Sequence, residues 1–283
     1  MKTNLVDLKL TLILCLSLTG LTHTALADDT VPKLKVNQND YSFIPKGSGD
    51  ADGIITVLMV DSKELAKTLP KELSLDGALI GIDGKYPAAM YIGGHKNLTT
   101  DSWIGPVQVA KKYNELTLSF TVVGPNSPNE RYNYTSAILV DSLPSQKMGQ
   151  LLGYPKRFVY IMSDGQNISA HSWTTGDTYV IANSWDVEKY DLKSFNDNLE
   201  ILKMNMRPTI GFSKELGYVC FDFDWNFPKA SVKPMNLSVI FGEKFAGKGL
   251  AGILHVPSSL DKQPFGTFHI QTHWEMKNYR ACK

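Results

Sequence analysis

Cysteine is scarce in this chain of 283 residues, with three in all, and no two of them form a Cys-x-x-Cys pair. A redox dithiol motif is therefore excluded, as is a zinc site built on paired cysteines. The chain also lacks a Gly-x-Ser-x-Gly elbow and a phosphate-binding glycine loop, which removes two common catalytic frameworks. No basic block interrupts a formal net charge of +1, so nucleic-acid binding has no electrostatic footprint. There is no repeat of fixed period, no low-complexity tract and no shift in composition that marks a linker.

One apolar run stands out, at Leu10 to Leu21, roughly a dozen residues and too short to span a bilayer. Lys2 and Lys9 give it a positive approach, and Ala25-Leu26-Ala27 supplies small residues at cleavage spacing. This pattern predicts a signal peptide over 1–27 cut after Ala27, with a secreted or periplasmic mature chain that has no membrane span. An uncleaved anchor is the alternative. Cys15 leaves with the signal, and Cys220 and Cys282 then meet a compartment that permits disulfides. Their pairing would close a loop of about sixty residues; the alternative is a buried Cys220 thiol and a free tail cysteine. Glycosylation sequons begin at Asn97, Asn133, Asn167 and Asn236.

The mature chain, residues 28–283, reads as one β-rich α+β domain. Residues 28–53 are polar and rich in Asp, Gly and Lys, and are expected to form an N-terminal arm. Strands are predicted at Ile54–Val60, Ala78–Ile82, Leu116–Val123, Tyr132–Val140, Phe158–Met162, Tyr179–Ala182, Tyr218–Trp225, Leu237–Phe241 and Thr267–Met276. Short helices are predicted after an Asp61 or Ser62 cap with a stop at Pro70, over Ser145–Leu152, and over Asp191–Leu202.

The segment Gly153-Tyr154-Pro155-Lys156-Arg157 carries the chemistry of most interest. A lysine in apolar surroundings, next to a permanent guanidinium, is placed to lose its proton and attack a ketone. Extended backbone would send adjacent side chains to opposite faces and weaken the influence of Arg157. Taken locally, Lys156-Arg157 is also what a solvated turn looks like. Glu115, at the head of an apolar strand, can move protons or orient a substrate, though in isolation it reads as an exposed strand-edge glutamate. The rival constellation is His269, Gln271, His273 and Glu275 on one face of a strand, with His95, His171 and His255 as further candidate metal ligands; a half-exposed strand shows the same alternation. Asp222-Phe223-Asp224-Trp225-Asn226 imitates the start of a calcium loop, but Phe227 stands where the turn glycine belongs.

Four pieces, in order, resemble the acetoacetate decarboxylase-like superfamily. They are Leu65-Ala66-Lys67-Thr68-Leu69-Pro70-Lys71-Glu72-Leu73, Tyr113-Asn114-Glu115, Tyr134-Thr135 through Val140-Asp141, and Gly149 to Arg157. The resemblance implies a β-barrel or sheet domain with a few short helices and no cofactor. It implies Lys156 as the Schiff-base lysine, Glu115 as the site carboxylate, Arg157 in place of a second lysine that tunes the first, and Tyr113 and Tyr154 against the substrate. The expected activity is that of an exported lyase that decarboxylates a small β-keto acid. Aldol or dehydratase chemistry on the same lysine, or a non-catalytic ligand-binding role, are the alternatives. The family's arginine ahead of the first strand has no counterpart near Ala51 and Asp52. By the same analogy the protein would form a homo-oligomer.

Overall fold

The computed structural model describes residues 46–81, 83–102, 105–124, 126, 128–151, 153–186, 207–213, 217–226, 229–241, 259–260 and 267–282. The signal segment 1–27, most of the expected arm, the helix expected over Asp191–Leu202, and His255 lie outside the described residues.

The fold is α+β and dominated by strands. Four long or medium strands and one two-residue strand come early: β1 (Gly47–Asp61), the short β2 (Ser74–Leu75), β3 (Lys85–Ser102), β4 (Gly105–Val123) and β5 (Arg131–Val140). Two short helices punctuate them, α1 (Ser62–Lys67) and α2 (Leu143–Leu151). Then follow β6 (Lys156–Phe158), β7 (Tyr160–Ser163), β8 (Asn167–His171), β9 (Thr178–Asp186) and β10 (Thr209–Ser213). The chain ends with β11 (Gly217–Trp225), β12 (Ser231–Phe241), β13 (Ser259–Leu260) and β14 (Thr267–Ala281).

Hydrogen bonding runs β1-β3-β4-β5-β10-β11-β14, and β14 pairs back onto β1, closing a ring. Closure leaves these strands without a free edge. Several of the described strands divide one edge between two partners. On β4, β3 reaches Ser119 and β2 takes Val122–Val123. The edge of β5 away from β4 takes β10 at Asn133–Tyr134 and β6 at Ile138–Val140. The second edge of β14 takes β12 over Phe268–Gln271 and β11 over Trp274–Ala281. From β12 a second sheet continues through β9 and β8 to β7.

The strand period of two separates two cores. On β4, Leu116, Leu118, Phe120 and Val122 face outward and pack with Val159, Ile161, Val180 and Val239 of the second layer. Each such side chain, fully buried, contributes about 1.5–3 kcal/mol. The inner core holds Ile55, Val57, Tyr91, Tyr113, Phe221, Phe268, Trp274 and Met276. The polar residues between the outer leucines of β4 therefore point inside the ring.

Two local readings are corrected. Residues 47–53, expected in the arm, are strand, because β1 is paired on both edges, by β14 and by β3, and that pairing outweighs a composition poor in apolar residues. Of the strand expected over Ala78–Ile82, Ile82 lies outside the described residues and Ala78–Gly81 are not strand: Gly77–Leu79 make a single 3₁₀ turn capped by Asp76, which accepts from Ala78 N, and Ile80 is exposed. The helix start at Asp61 is found, its carboxylate accepting from Lys63 N and Glu64 N. Among the described residues no helix is long and apolar enough to cross a membrane.

Candidate active site

The sequence around Lys156 builds its own turn. Helix α2 ends in a Schellman arrangement: Tyr154 N donates to Gly149 O at 2.9 Å, and Gly153 N donates to Gln150 O at 3.1 Å. Gly153 takes φ +81°, and a Cβ there would lie 2.6 Å from the Phe212 carbonyl oxygen, so only glycine fits. Pro155 then prevents the helix from resuming, and the chain leaves as β6 alongside β5, with Lys156 opposite Ile138. Gly149 serves a different need. A Cβ on it would stand 2.5 Å from Lys156 Cε, so its absence lets the lysine stem pass over the helix into the ring.

Inside the ring the Lys156 ammonium meets Glu115 Oε2 at 2.8 Å and Ser145 Oγ at 3.0 Å. Both charged side chains are one-tenth exposed. Glu115 sits opposite Val140, and the neighbouring Asn114 is clamped by Asp141, which accepts from its N and its Nδ2 at 2.7 Å each. Burial pushes the Glu115 carboxyl up. The Lys156 charge, His95 and hydrogen bonds from Lys156 and Tyr113 outweigh this and leave it below the ordinary carboxylate range.

His95 completes the cluster. It is 3% exposed, stacks on Tyr113 at 5.0 Å, and places Nε2 3.7 Å from Glu115 Oε1. Trp274 Nε1 donates to His95 Nδ1 at 3.1 Å. An indole N–H can only donate, so Nδ1 carries the lone pair and the neutral ring presents Nε2–H toward Glu115 and the cavity. Burial, reinforced by the Lys156 charge and opposed by Glu115, pushes the His95 pKa down to about 4.

That depression has a measurable consequence. Between pH 6.5 and 4 the unfolded chain binds a proton at His95 that the folded chain refuses. Its contribution is complete above about pH 6.5 and lost as pH falls toward 4. Urea unfolding at pH 7 and pH 4.5 should show about 2–3 kcal/mol of acid destabilisation in the wild type that is missing in His95→Gln. Equal pH slopes for the two proteins would refute the assignment.

These groups open onto a cavity of about 130 Å³. Lys156, Glu115, His95, Tyr113 and Tyr154 line it, together with Thr117, Ser119 and Thr135 on one wall and Phe223, Trp225 and Trp274 on another. Tyr113 lies under the amine, 5.7 Å from Nζ to its ring centre, and Tyr154 packs edge-on against Phe221 at 5.6 Å. Arg157 is not brought into the site. It is exposed on the opposite face of β6, with its guanidinium 4.9 Å from the Tyr179 ring centre, because successive residues of a strand alternate faces.

The rival constellations go elsewhere. His269 and His273 point out of the ring and bond Asp52 and Asp50, each at 2.9 Å. Among the described residues no three His, Cys, Asp or Glu side chains gather to hold a metal. Asp222 and Asp224 lie on β11 and pair with Arg280 and Lys277. Of the sequon asparagines, Asn97, Asn167 and Asn236 are exposed, whereas Asn133 lines the cavity. Cys220 and Cys282 are joined in a disulfide.

Other contributors were less visible in the sequence. His95 stands there only as a possible metal ligand. Gly149 belongs to the family-like segment, and Ser145 carries a weak signal, since a spacing of four on a helix puts both on the face that meets Lys156. Trp274 had none, because its partner is 179 residues away.

This closed ring with its flanking sheet is the acetoacetate decarboxylase-like fold. Among solved structures the chain is similar to an acetoacetate decarboxylase-like enzyme from Sphingomonas wittichii RW1, with a TM-score of 0.55 at 15% identity, covering 84% of this chain and 92% of that one. It is similar also to acetoacetate decarboxylase from Legionella pneumophila, with a TM-score of 0.55 at 10% identity over 93% and 98% of the two chains. A third is the enduracididine biosynthesis enzyme MppR, solved with the condensation product of pyruvate and imidazole 4-carboxaldehyde, with a TM-score of 0.53 at 12% identity over 84% and 88%. No protein-family model and no curated protein matches the chain.

Proposed function

We propose that the protein is an imine-forming lyase that decarboxylates a β-keto acid on Lys156. The observation that carries this is the Lys156 amine held inside a cavity and hydrogen-bonded at 2.8 Å to the Glu115 carboxylate. Lysine attack on the ketone forms a carbinolamine, which expels water to give an iminium. The C–C bond to the β-carboxylate breaks, its electron pair moves toward the iminium nitrogen, and carbon dioxide leaves. The resulting enamine takes a proton at carbon, and water releases the ketone and the free amine. Glu115 serves as proton acceptor and donor at Nζ, and His95 Nε2–H offers a hydrogen bond to oxygen in the cavity. Ser145 fixes the amine, and Tyr113 and Tyr154 wall the substrate. No step requires a cofactor. Arg157, outside the cavity, is given no part.

The same iminium and enamine support carbon–carbon bond formation. The condensation product bound in the MppR structure favours keeping an aldol or dehydratase reading as second choice. Export by the N-terminal signal is part of the proposal, and the Cys220–Cys282 bond supports an oxidising destination.

The test is to incubate the full chain with acetoacetate and a panel of small keto acids, reduce with borohydride, and locate the mass adduct. An adduct on Lys156 that is absent from Lys156→Met is the expected result. No adduct with any member, or an adduct that persists in Lys156→Met, overturns the imine. Carbon dioxide release from an adduct-forming acid separates decarboxylation from aldol chemistry.

A further inference from the structure

Among the described residues, three buried side-chain atoms have no hydrogen-bond partner: His95 Nε2, Asn133 Oδ1 and Arg207 Nη1. All three residues line the same cavity. Leaving a buried polar atom unsatisfied costs about 1–3 kcal/mol, and more when it is charged, so folded proteins keep few of them and gather them where a ligand binds. His95 belongs to the lysine end. Asn133 and Arg207 make the other end.

Their position is set by the way β5 divides its edge. Lys156 lies beside Ile138, while Thr209 lies beside Asn133 at the start of the same strand. Asn133 N donates to Pro208 O at 2.9 Å, which fastens the backbone next to Arg207 against β5. Five residues of strand separate the two rows, on the order of 15 Å, a span shortened by a bulge and by the reach of both long side chains. Thr117, Ser119 and Thr135 line the cavity between them. Asp76, which feels the charge of Arg207, is already chelated by Arg131 through Nε and Nη2.

We propose that Arg207 and Asn133 recognise a second carboxylate that takes no part in the chemistry, and that the substrate is a 3-oxo dicarboxylic acid of about six to eight carbons. This rests on the imine reading above. The ketone meets Lys156, the carboxylate next to it leaves as carbon dioxide, and the far carboxylate is held by the guanidinium and retained in the product. 3-Oxohexanedioate would thus yield 4-oxopentanoate and carbon dioxide, with one proton taken up at carbon. The Asn133 amide turns either its N–H or its oxygen to the ligand by a half-turn of its terminal torsion.

The experiment compares borohydride trapping of 3-oxohexanedioate and 3-oxooctanedioate with that of 3-oxohexanoate and 3-oxooctanoate, reading the half-saturating concentration for each. The diacids should half-saturate at a concentration at least thirtyfold lower. Arg207→Ala should raise the diacid value at least ten times more than the monoacid value, and Arg207→Lys, which keeps the charge but not the fork, should restore part of the difference. Thermal melts confirm that both variants are folded. Monoacids that trap as well as diacids, or an Arg207→Ala change that moves both classes equally, overturn the second recognition end and leave the imine reading standing. Trapping of neither class overturns the imine reading, and this proposal with it.

Discussion

Glu115→Gln should lose about 3 kcal/mol of stability, and most of that loss should be recovered when Lys156→Met is added. The pair is the reason. Lys156 Nζ lies 2.8 Å from Glu115 Oε2 with both side chains one-tenth exposed. Removing the carboxylate charge leaves an ammonium enclosed with Ser145 and an aromatic ring as its remaining company. Breaking one side of a buried ion pair costs about 3–5 kcal/mol, and the residual exposure places this case at the lower end. Replacing both members removes the stranded charge, so the double variant should exceed the single one. Urea unfolding of the wild type, both singles and the double measures the coupling, with a constant m-value confirming that the denatured state is unchanged. Additive losses would show that the pair is not coupled. There is also a pH signature. Because the Glu115 carboxyl is held below its ordinary range, its contribution is present above about pH 4.5 and lost as pH falls through the lowered folded value. Glu115→Gln should lose that acid limb of the stability profile.

Cutting the Cys220–Cys282 bond should have an effect of similar size. The bond joins β11 to the residue just after β14 across 62 positions. Loop-closure entropy for that length is worth about 4 kcal/mol at 25 °C. Some of this will be recovered by structure, since β11 and β14 already pair over Val219–Ala281 and Trp225–Trp274. Cys282→Ser, or reduction, should therefore lower stability by about 3–4 kcal/mol while leaving Lys156 trapping intact at temperatures where the chain stays folded. A variant as stable as the oxidised wild type would refute the contribution. Loss of trapping in the folded variant would show that the tail is coupled to the site.

What the sequence alone shows depends on the range over which each constraint acts. The lysine turn was legible because its constraints are local. Gly153, Pro155 and the strand-like residues after them act within a few positions of Lys156. Asp61 as a helix cap, and the strands at Leu116–Val123 and Tyr132–Val140, were legible for the same reason. β3, the long strand Lys85–Ser102, drew no assignment, since Pro87, Gly93-Gly94 and Asn97 interrupt any short pattern. Pairing with β1 and β4 on both edges holds it extended regardless. The arm assigned to 28–53 failed at Gly47–Gly53 because that pairing, too, is long-range.

Alternation on β4 illustrates a deeper limit. The period of two was evident, but it cannot say which face meets water. In isolation Glu115 read as an exposed strand-edge residue. Closure of the ring turned the polar face inward, so Glu115, Thr117 and Ser119 line a cavity while Leu116, Leu118 and Phe120 cover the outside under a second sheet.

The sequence by itself determined the reactive turn, the short helix ahead of it and strands such as Leu116–Val123, Tyr132–Val140 and Tyr218–Trp225, because propensity, capping and turn chemistry act between near neighbours. Tertiary structure alone decided that Arg157 faces away from the cavity, that His95 is oriented by Trp274, and that Arg207 shares a cavity with Lys156. Those outcomes depend on which strand edges close the ring, and that choice is made by contacts between residues far apart in the chain.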